Sequence, residues 1–185
     1  MEEITRAITE CQRCALAQTR IRAVPGQGPV PAALMLIGEA PGKSEDELGI
    51  PFSGAAGRVL DGMLAHAGLS RSQVFITSVI KCRPPKNRNP RRQEVDACAV
   101  HLNKQIEMIR PQVIGVMGNV ALQALVGSKL TIGAVRGRVL EMDGRHYLPV
   151  FHPAALLYNR KLEEILQSDF QMLARLAFNG NNKIW

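Results

Sequence analysis

The sequence predicts an α/β fold whose mainly parallel sheet is covered on both faces. Three observations carry that reading. Short apolar runs, each long enough for one strand, alternate with longer segments whose apolar residues recur at helical spacing. The strand candidates are apolar almost throughout, the pattern of strands buried on both sides, instead of alternating apolar with polar. Segments of helical length separate successive strands, as parallel pairing demands.

A short helix over residues 2–10 opens the chain. The run AALMLIG (Ala32–Gly38) reads as the first strand and stops at a glycine. GAAGRVLDGMLAHAG then sets Val59, Leu60, Met63, Leu64 and Ala67 on one helical face, with Gly68 as its stop. VFITSVI (Val74–Ile80), rich in β-branched residues, is the second strand. A loop dense in proline and arginine leads to a long helix from about Arg91, striped by Val95, Cys98, Leu102, Ile106 and Ile109 and ended by Pro111. QVIGVMG is a third strand and NVALQALVG a short helix. RGRVLEMDGRHYLPVF is a hairpin turning at Asp143-Gly144, and a last helix runs from about Lys161 to Phe178. Four loops leave the carboxyl ends of strands, where sites gather in such sheets: GEAPGKSEDELGIPFSG, KCRPPKNRNPRR, GN and HPAALLYNR.

At 185 residues the chain fits one domain, 1–185. Its 46% apolar and 21% charged residues exclude a disordered chain. No apolar run reaches the roughly 18 residues of a membrane span. The opening MEEITRAITE has no basic start followed by an apolar stretch, which argues against a secretory signal and for a reducing cytoplasm. In that compartment four cysteines are metal ligands or core thiols before they are disulfides. A net charge of +7 points to an acidic partner, nucleic acid first, with solubility as the plainer explanation.

Cys11 and Cys14 form a CxxC pair, and Cys82 and Cys98 flank the basic loop. Two thiolates three residues apart reach one metal centre without strain, and a distant pair completes a four-sulfur set. Cys98 alone also suits a core thiol, and both zinc and an iron–sulfur cluster accept four thiolates. From Lys81 to Arg92 the loop holds six basic residues and no acidic one: Lys81, Arg83, Lys86, Arg88, Arg91 and Arg92. Stiffened by prolines and pinned by cysteines, it reads as a phosphate-binding surface more than a solvated charge run.

GEAPG (Gly38–Gly42) offers close backbone approach at its glycines and a carboxylate, Glu39, to position or deprotonate a water. Phe52 sits in a tight turn, available to stack on a flat ligand or to pack in the core. His152 ends the last strand before Pro153, where an imidazole can donate to a developing oxyanion. His66, His101 and His146 are expected to be structural.

Together these motifs resemble the family-4, iron–sulfur uracil-DNA glycosylases of bacteria and archaea. The likeness runs through Cys11 and Cys14, GEAPG at 38–42, EDELGIPFSGAAGRVLD at 45–61, ITSVIKCRPPKNRNP at 76–90, Cys98, Arg136-Gly137 and FHPAALL at 151–157. It implies a three-layer α/β/α sandwich with a central, mainly parallel four-stranded sheet. The four cysteines would carry a structural [4Fe–4S] cluster, with zinc the alternative. The resemblance also implies a monomeric enzyme of the prokaryotic cytoplasm, associated with the nucleoid by function, that acts on uracil-containing DNA. Glu39 would hold the attacking water and His152 would bond uracil O2. Gly38, Gly42, Phe52, Ser78 and Asn87 would surround the base. Lys81, Arg83, Lys86, Arg88 and Arg91 would meet phosphates, while Leu156 and Leu157 fill the vacated stack.

Three departures from the family pattern stand out. Ser78 replaces the asparagine whose amide reads the N3–H and O4 edge of uracil, leaving one short hydroxyl, with Asn87 or Asn89 as possible substitutes from the next loop. Ser53 replaces a valine, and Tyr158 and Arg160 stand where arginine and proline are common. Ser78 keeps a glycosylase for hypoxanthine or xanthine in play. A silent, metal-stabilised nucleic-acid-binding protein is the alternative from another class, and the intact GEAPG and FHP motifs speak against it.

Overall fold

Strands β1 (Leu34–Gly38), β2 (Val74–Ser78) and β3 (Val113–Met117) are buried at every position, as their apolar runs require. The computed structural model describes residues 1–178. Helices α1 (Glu2–Thr9), α2 (Lys43–Leu48), α3 (Ala55–His66), α4 (Arg92–Ile109), α5 (Asn119–Leu125), α6 (Ile132–Val135), α7 (Ala155–Tyr158) and α8 (Glu163–Phe178) surround the sheet, which β4 (Leu140–Met142) and β5 (Arg145–Val150) complete.

The sheet order is β2-β1-β3-β5-β4. Its first four strands are parallel, and β4 runs antiparallel to β5. The sheet therefore has five strands, not the expected four, because the first arm of the hairpin adds a three-residue edge. Asp143 and Gly144 both have positive φ, 51° and 71°, the geometry of a tight hairpin turn that matches strand twist.

Alternate strand residues supply two cores. Met35, Ile37, Phe75, Ile114 and Val116 pack with residues of α1, α4 and α5 on one face. Leu34, Leu36, Val74, Ile76, Leu148 and Val150 pack with residues of α3 and α8 on the other. The result is the expected α/β/α layering. Helices α2, α6 and α7 lie inside segments read from sequence as loops or a hairpin flank. Each is four to six residues long, too short for an apolar stripe to show. Among the described residues no helix is long and apolar enough to cross a membrane. Because β1, β2, β3 and β5 are parallel, Gly38, Ser78, Met117 and Val150 end at one edge, and the loops beyond them converge.

Candidate active site

Those loops enclose a cavity of about 320 Å³, within the range of small-molecule sites. Glu39, Gly42, Phe52, Ser78, Asn87 and His152 line it. They come from the loops after β1, β2 and β5. The loop after β3 supplies support instead: Asn119 Oδ1 accepts a hydrogen bond from the Ile132 amide at 2.7 Å.

Phe52 and His152 stack with ring centroids 5.5 Å apart and planes 26° from parallel. Gly38 makes this possible, because a Cβ there would lie 2.7 Å from Phe52 Cζ and 3.4 Å from His152 Nε2. Phe52 itself has φ 51°, an uncommon conformation for a bulky side chain. Arg71 holds it there. Its Nη1 donates to Pro51 O at 2.9 Å and Nη2 to Phe52 O at 2.5 Å, while Nε donates to Asp61 Oδ1 at 2.6 Å. Gly57 gives the turn room, since a Cβ at that position would fall 1.7 Å from Phe52 O.

Glu45 joins the first loop to this turn. Its carboxylate accepts from the Gly42 amide and from the Gly54 amide, both at 3.0 Å. Gly42 thus forms cavity wall with its N–H already satisfied.

The Ala154 amide donates to His152 Nδ1 at 3.1 Å. That bond leaves the imidazole proton on Nε2. Burial lowers the His152 pKa to about 4, and the nearby negative charge of Glu45 opposes the shift only in part. Near neutrality the ring is therefore a neutral N–H donor. Burial moves the Glu39 carboxyl the other way, above the usual carboxylate value. Ser78 is buried at the end of β2, and Asn87, with φ 53°, has its Oδ1 held by Arg83 Nε at 2.7 Å.

One of the expected phosphate contacts, Lys81, is corrected. Lys81 is 1% exposed, and its Nζ is 2.7 Å from each of Thr77 Oγ1, Ser78 O and Gln105 Oε1. It points into the protein because Val79, Ile80 and Cys82 around it are buried too. Arg88 forms a two-bond pair with the buried Glu94 carboxylate, at 2.8 and 2.6 Å, and lines the cavity with about a third of its side chain exposed. Lys86 and Arg91 are exposed and Arg83 half-buried. On α7, Leu156 is half-buried and Leu157 exposed.

Cys11, Cys14, Cys82 and Cys98 border one small cavity. Burial pushes the Cys98 thiol up to about 11 and also raises Cys82, against which the Arg20 guanidinium acts. Arg20 Nη1 donates to Cys82 Sγ at 3.1 Å. His101 Nε2 lies 3.2 Å from Cys11 Sγ. His101, expected to be merely structural, thus belongs to the thiol site, whereas His66 and His146 meet Gln171 and Glu141. Among the described residues no three His, Cys, Asp or Glu side chains close around one ion. The donor chemistry, four thiols with N–H groups directed at sulfur and no bordering carboxylate, fits a metal group bound through thiolates.

Glu45, Arg71, Arg20 and His101 were not singled out from sequence as functional. Only Glu45 carried a local signal, lying three residues past Gly42 as a capping residue would.

Residues 25–174 match the Uracil DNA glycosylase superfamily. The chain is 42% identical to a type-4 uracil-DNA glycosylase of Archaeoglobus fulgidus over 96% of this chain and 93% of that one. It is 38% identical to a type-4 uracil-DNA glycosylase of Sulfurisphaera tokodaii, over 100% and 93%. A type-4 uracil-DNA glycosylase of Thermotoga maritima is 39% identical, over 92% and 91%.

Proposed function

The chain belongs to the uracil DNA glycosylase superfamily, and we propose that its cavity performs the type-4 reaction, hydrolysing the N-glycosidic bond of uracil in DNA. It is a DNA-repair hydrolase that leaves an abasic site. The observation that carries the division of roles is the neutral, Nε2-protonated His152 in the same cavity as Glu39.

Uracil flipped from the duplex enters this cavity, and its contacts there offset the cost of unstacking. The Phe52 ring takes one face of the base. As the glycosidic bond lengthens, the sugar acquires oxocarbenium character and negative charge collects on the leaving base. His152 Nε2–H donates to O2, where that charge resides, and the ring needs no proton from solvent to do so. Glu39 orients a water toward the anomeric carbon and takes up its proton. Leu156 and Leu157 enter the gap in the stack, and Arg83, Lys86, Arg88 and Arg91 hold phosphates. Cys11, Cys14, Cys82 and Cys98 hold a [4Fe–4S] cluster in preference to zinc. When bound, the group supplies a cross-link between the amino-terminal segment, the basic loop and α4. The enzyme works as a monomer in the prokaryotic cytoplasm.

Purified protein incubated with oligonucleotides carrying uracil, hypoxanthine, xanthine or normal bases, followed by alkaline cleavage of abasic sites, tests the reaction. Uracil strands are cut. No cleavage of any strand despite DNA binding would refute the enzyme reading. His152→Ala lowers single-turnover cleavage about 100- to 1,000-fold, the usual loss for one such donor, with little change in DNA affinity.

A second reading concerns range. Ser78 offers a hydroxyl where an amide would read two atoms of the base. With Asn87 Oδ1 engaged by Arg83, its Nδ2 is the group left to face the cavity. A donor there recognises a carbonyl and discriminates against the amino group of cytosine. It does not demand uracil over hypoxanthine or xanthine.

A further inference from the structure

Besides apolar Ile8, Ala17 and Ala97, the described residues around the four thiols are Arg13, Arg20, Lys81 and His101, all cationic or N–H-bearing, with no carboxylate among them. Arg20 places Nη1 3.1 Å from Cys82 Sγ and Nη2 2.9 Å from Thr9 O, so its planar head is fixed at both ends. Buried His101 sets Nε2 3.2 Å from Cys11 Sγ. A thiolate carries no proton, so in the metal-bound state the imidazole is the donor of that bond.

Lys81 is the most unusual of the set. Its three 2.7 Å partners are all acceptors toward it. Thr77 Oγ1 already donates to Pro25 O, Ser78 contributes a carbonyl, and Gln105 Oε1 is turned to Lys81 because Gln105 Nε2 donates to Pro25 O. Three accepting partners use all three N–H bonds of an ammonium, whereas a neutral amine has two. A buried ammonium without a carboxylate partner is unfavourable unless another negative group lies near. Lys81 borders the same small cavity as Cys11, Cys14, Cys82 and Cys98, which puts the thiol site within reach.

We infer that Arg20, His101 and Lys81 form a counter-charge shell for the thiolate-bound cluster, and that Lys81 links this shell to the base pocket through Ser78 O and Thr77 Oγ1. The inference rests on the cluster assignment above. Hydrogen bonds and positive charge at sulfur favour the more negative, reduced state, so these are positioning residues that raise the reduction potential.

The test starts from wild-type protein purified without oxygen. Iron and sulfide content with broad visible absorbance establish the cluster, and their absence would remove the cluster assignment itself. Voltammetry is then run on Arg20→Gln, His101→Leu, His101→Gln and Lys81→Met at equal cluster content. Arg20→Gln and His101→Leu each disfavour reduction about tenfold, about 59 mV more negative for one electron. His101→Gln, which keeps an N–H donor, recovers most of that shift. Lys81→Met shifts the potential the same way and also raises KM for uracil-containing DNA. Wild-type potentials in Arg20→Gln and His101→Leu would overturn the inference. If the variants do not fold, reduced wild type labelled with 15N-arginine and 15N-histidine is examined by pulsed EPR. Nitrogen couplings from both labels support the shell, and their absence overturns it.

Discussion

Acidifying the enzyme from pH 7 to pH 5 distinguishes the proposed His152 from an ordinary histidine. The ring accepts a bond from the Ala154 amide at Nδ1, and burial lowers its pKa from 6.5 to about 4. That difference of about 2.5 pH units, at about 1.36 kcal/mol each, favours the neutral ring by about 3 kcal/mol, an upper bound for a half-buried group. At pH 5 an unperturbed imidazole is about 97% protonated, and one with a pKa of about 4 about 9%. Protonation would place a proton on Nδ1 and break the bond from Ala154. The folded state binds fewer protons than the unfolded chain between about pH 4 and 6.5, so the stability contributed is complete above 6.5 and lost as pH falls through that window. Two measurements check this. NMR of 15N-histidine protein, with His152→Gln for assignment, gives the titration midpoint and shows Nε2–H at neutral pH. Single-turnover uracil release shows no loss that follows the titration of an ordinary histidine as pH falls, and declines only as the Glu39 carboxylate, raised by burial, takes up its proton. A His152 midpoint near 6.5, or a proton on Nδ1 at pH 7, would refute the reasoning.

Further outcomes follow from the same contacts. Ser53 Oγ is buried without a hydrogen-bond partner, so Ser53→Ala stabilises the fold by about 1 kcal/mol, seen as a higher urea midpoint with unchanged slope. Arg71→Ala removes the bonds that hold Phe52 at positive φ; it costs about 1.5–3 kcal/mol and lowers cleavage more than DNA affinity. Ser78→Asn, restoring an amide at the base edge, raises the kcat/KM ratio of uracil to hypoxanthine at least about tenfold, or about 1.4 kcal/mol; an unchanged ratio removes Ser78 from the specificity argument. DNA binding measured against salt gives a log–log slope that Arg83→Ala, Lys86→Ala and Arg91→Ala each reduce by about 0.9, while Lys81→Met leaves it unchanged.

The sequence made the sheet and the placement of its reactive loops readable because buried parallel strands leave an unmistakable apolar run, and parallel strands end on one side. Glu39 and His152 were accessible to the same reasoning, one directly after β1 and the other two residues past the end of β5. The antiparallel edge β4 was harder to count, since three residues, none of them buried, are too few to show periodicity. Lys81 misled because charge in a basic run reads as surface. The local signal against that reading was its apolar setting, with Val79 and Ile80 before it and Cys82 after it. The acidic partner of Arg88, Glu94, lies just past the end of the loop, on the first turn of α4, so the pair did not show in the loop's own composition.

The groups that give the site its geometry were the least legible, and the cause is physical. Most side chains that line the cavity stand on loops, whose backbones have weak conformational preferences and must be fixed from outside. The supports come from wherever the fold brings a donor or acceptor close. Arg71 holds the Phe52 carbonyl from 19 residues away, and Gln105 reaches Pro25 across 80. Periodicity cannot reveal such pairs, and a motif records the reacting residue without its brace. Glu45 is the exception that fits the rule. One of its two bonds is to the amide three residues back, a local capping geometry that sequence can suggest, whereas the bond to Gly54 that closes the pocket is visible only once the chain has folded.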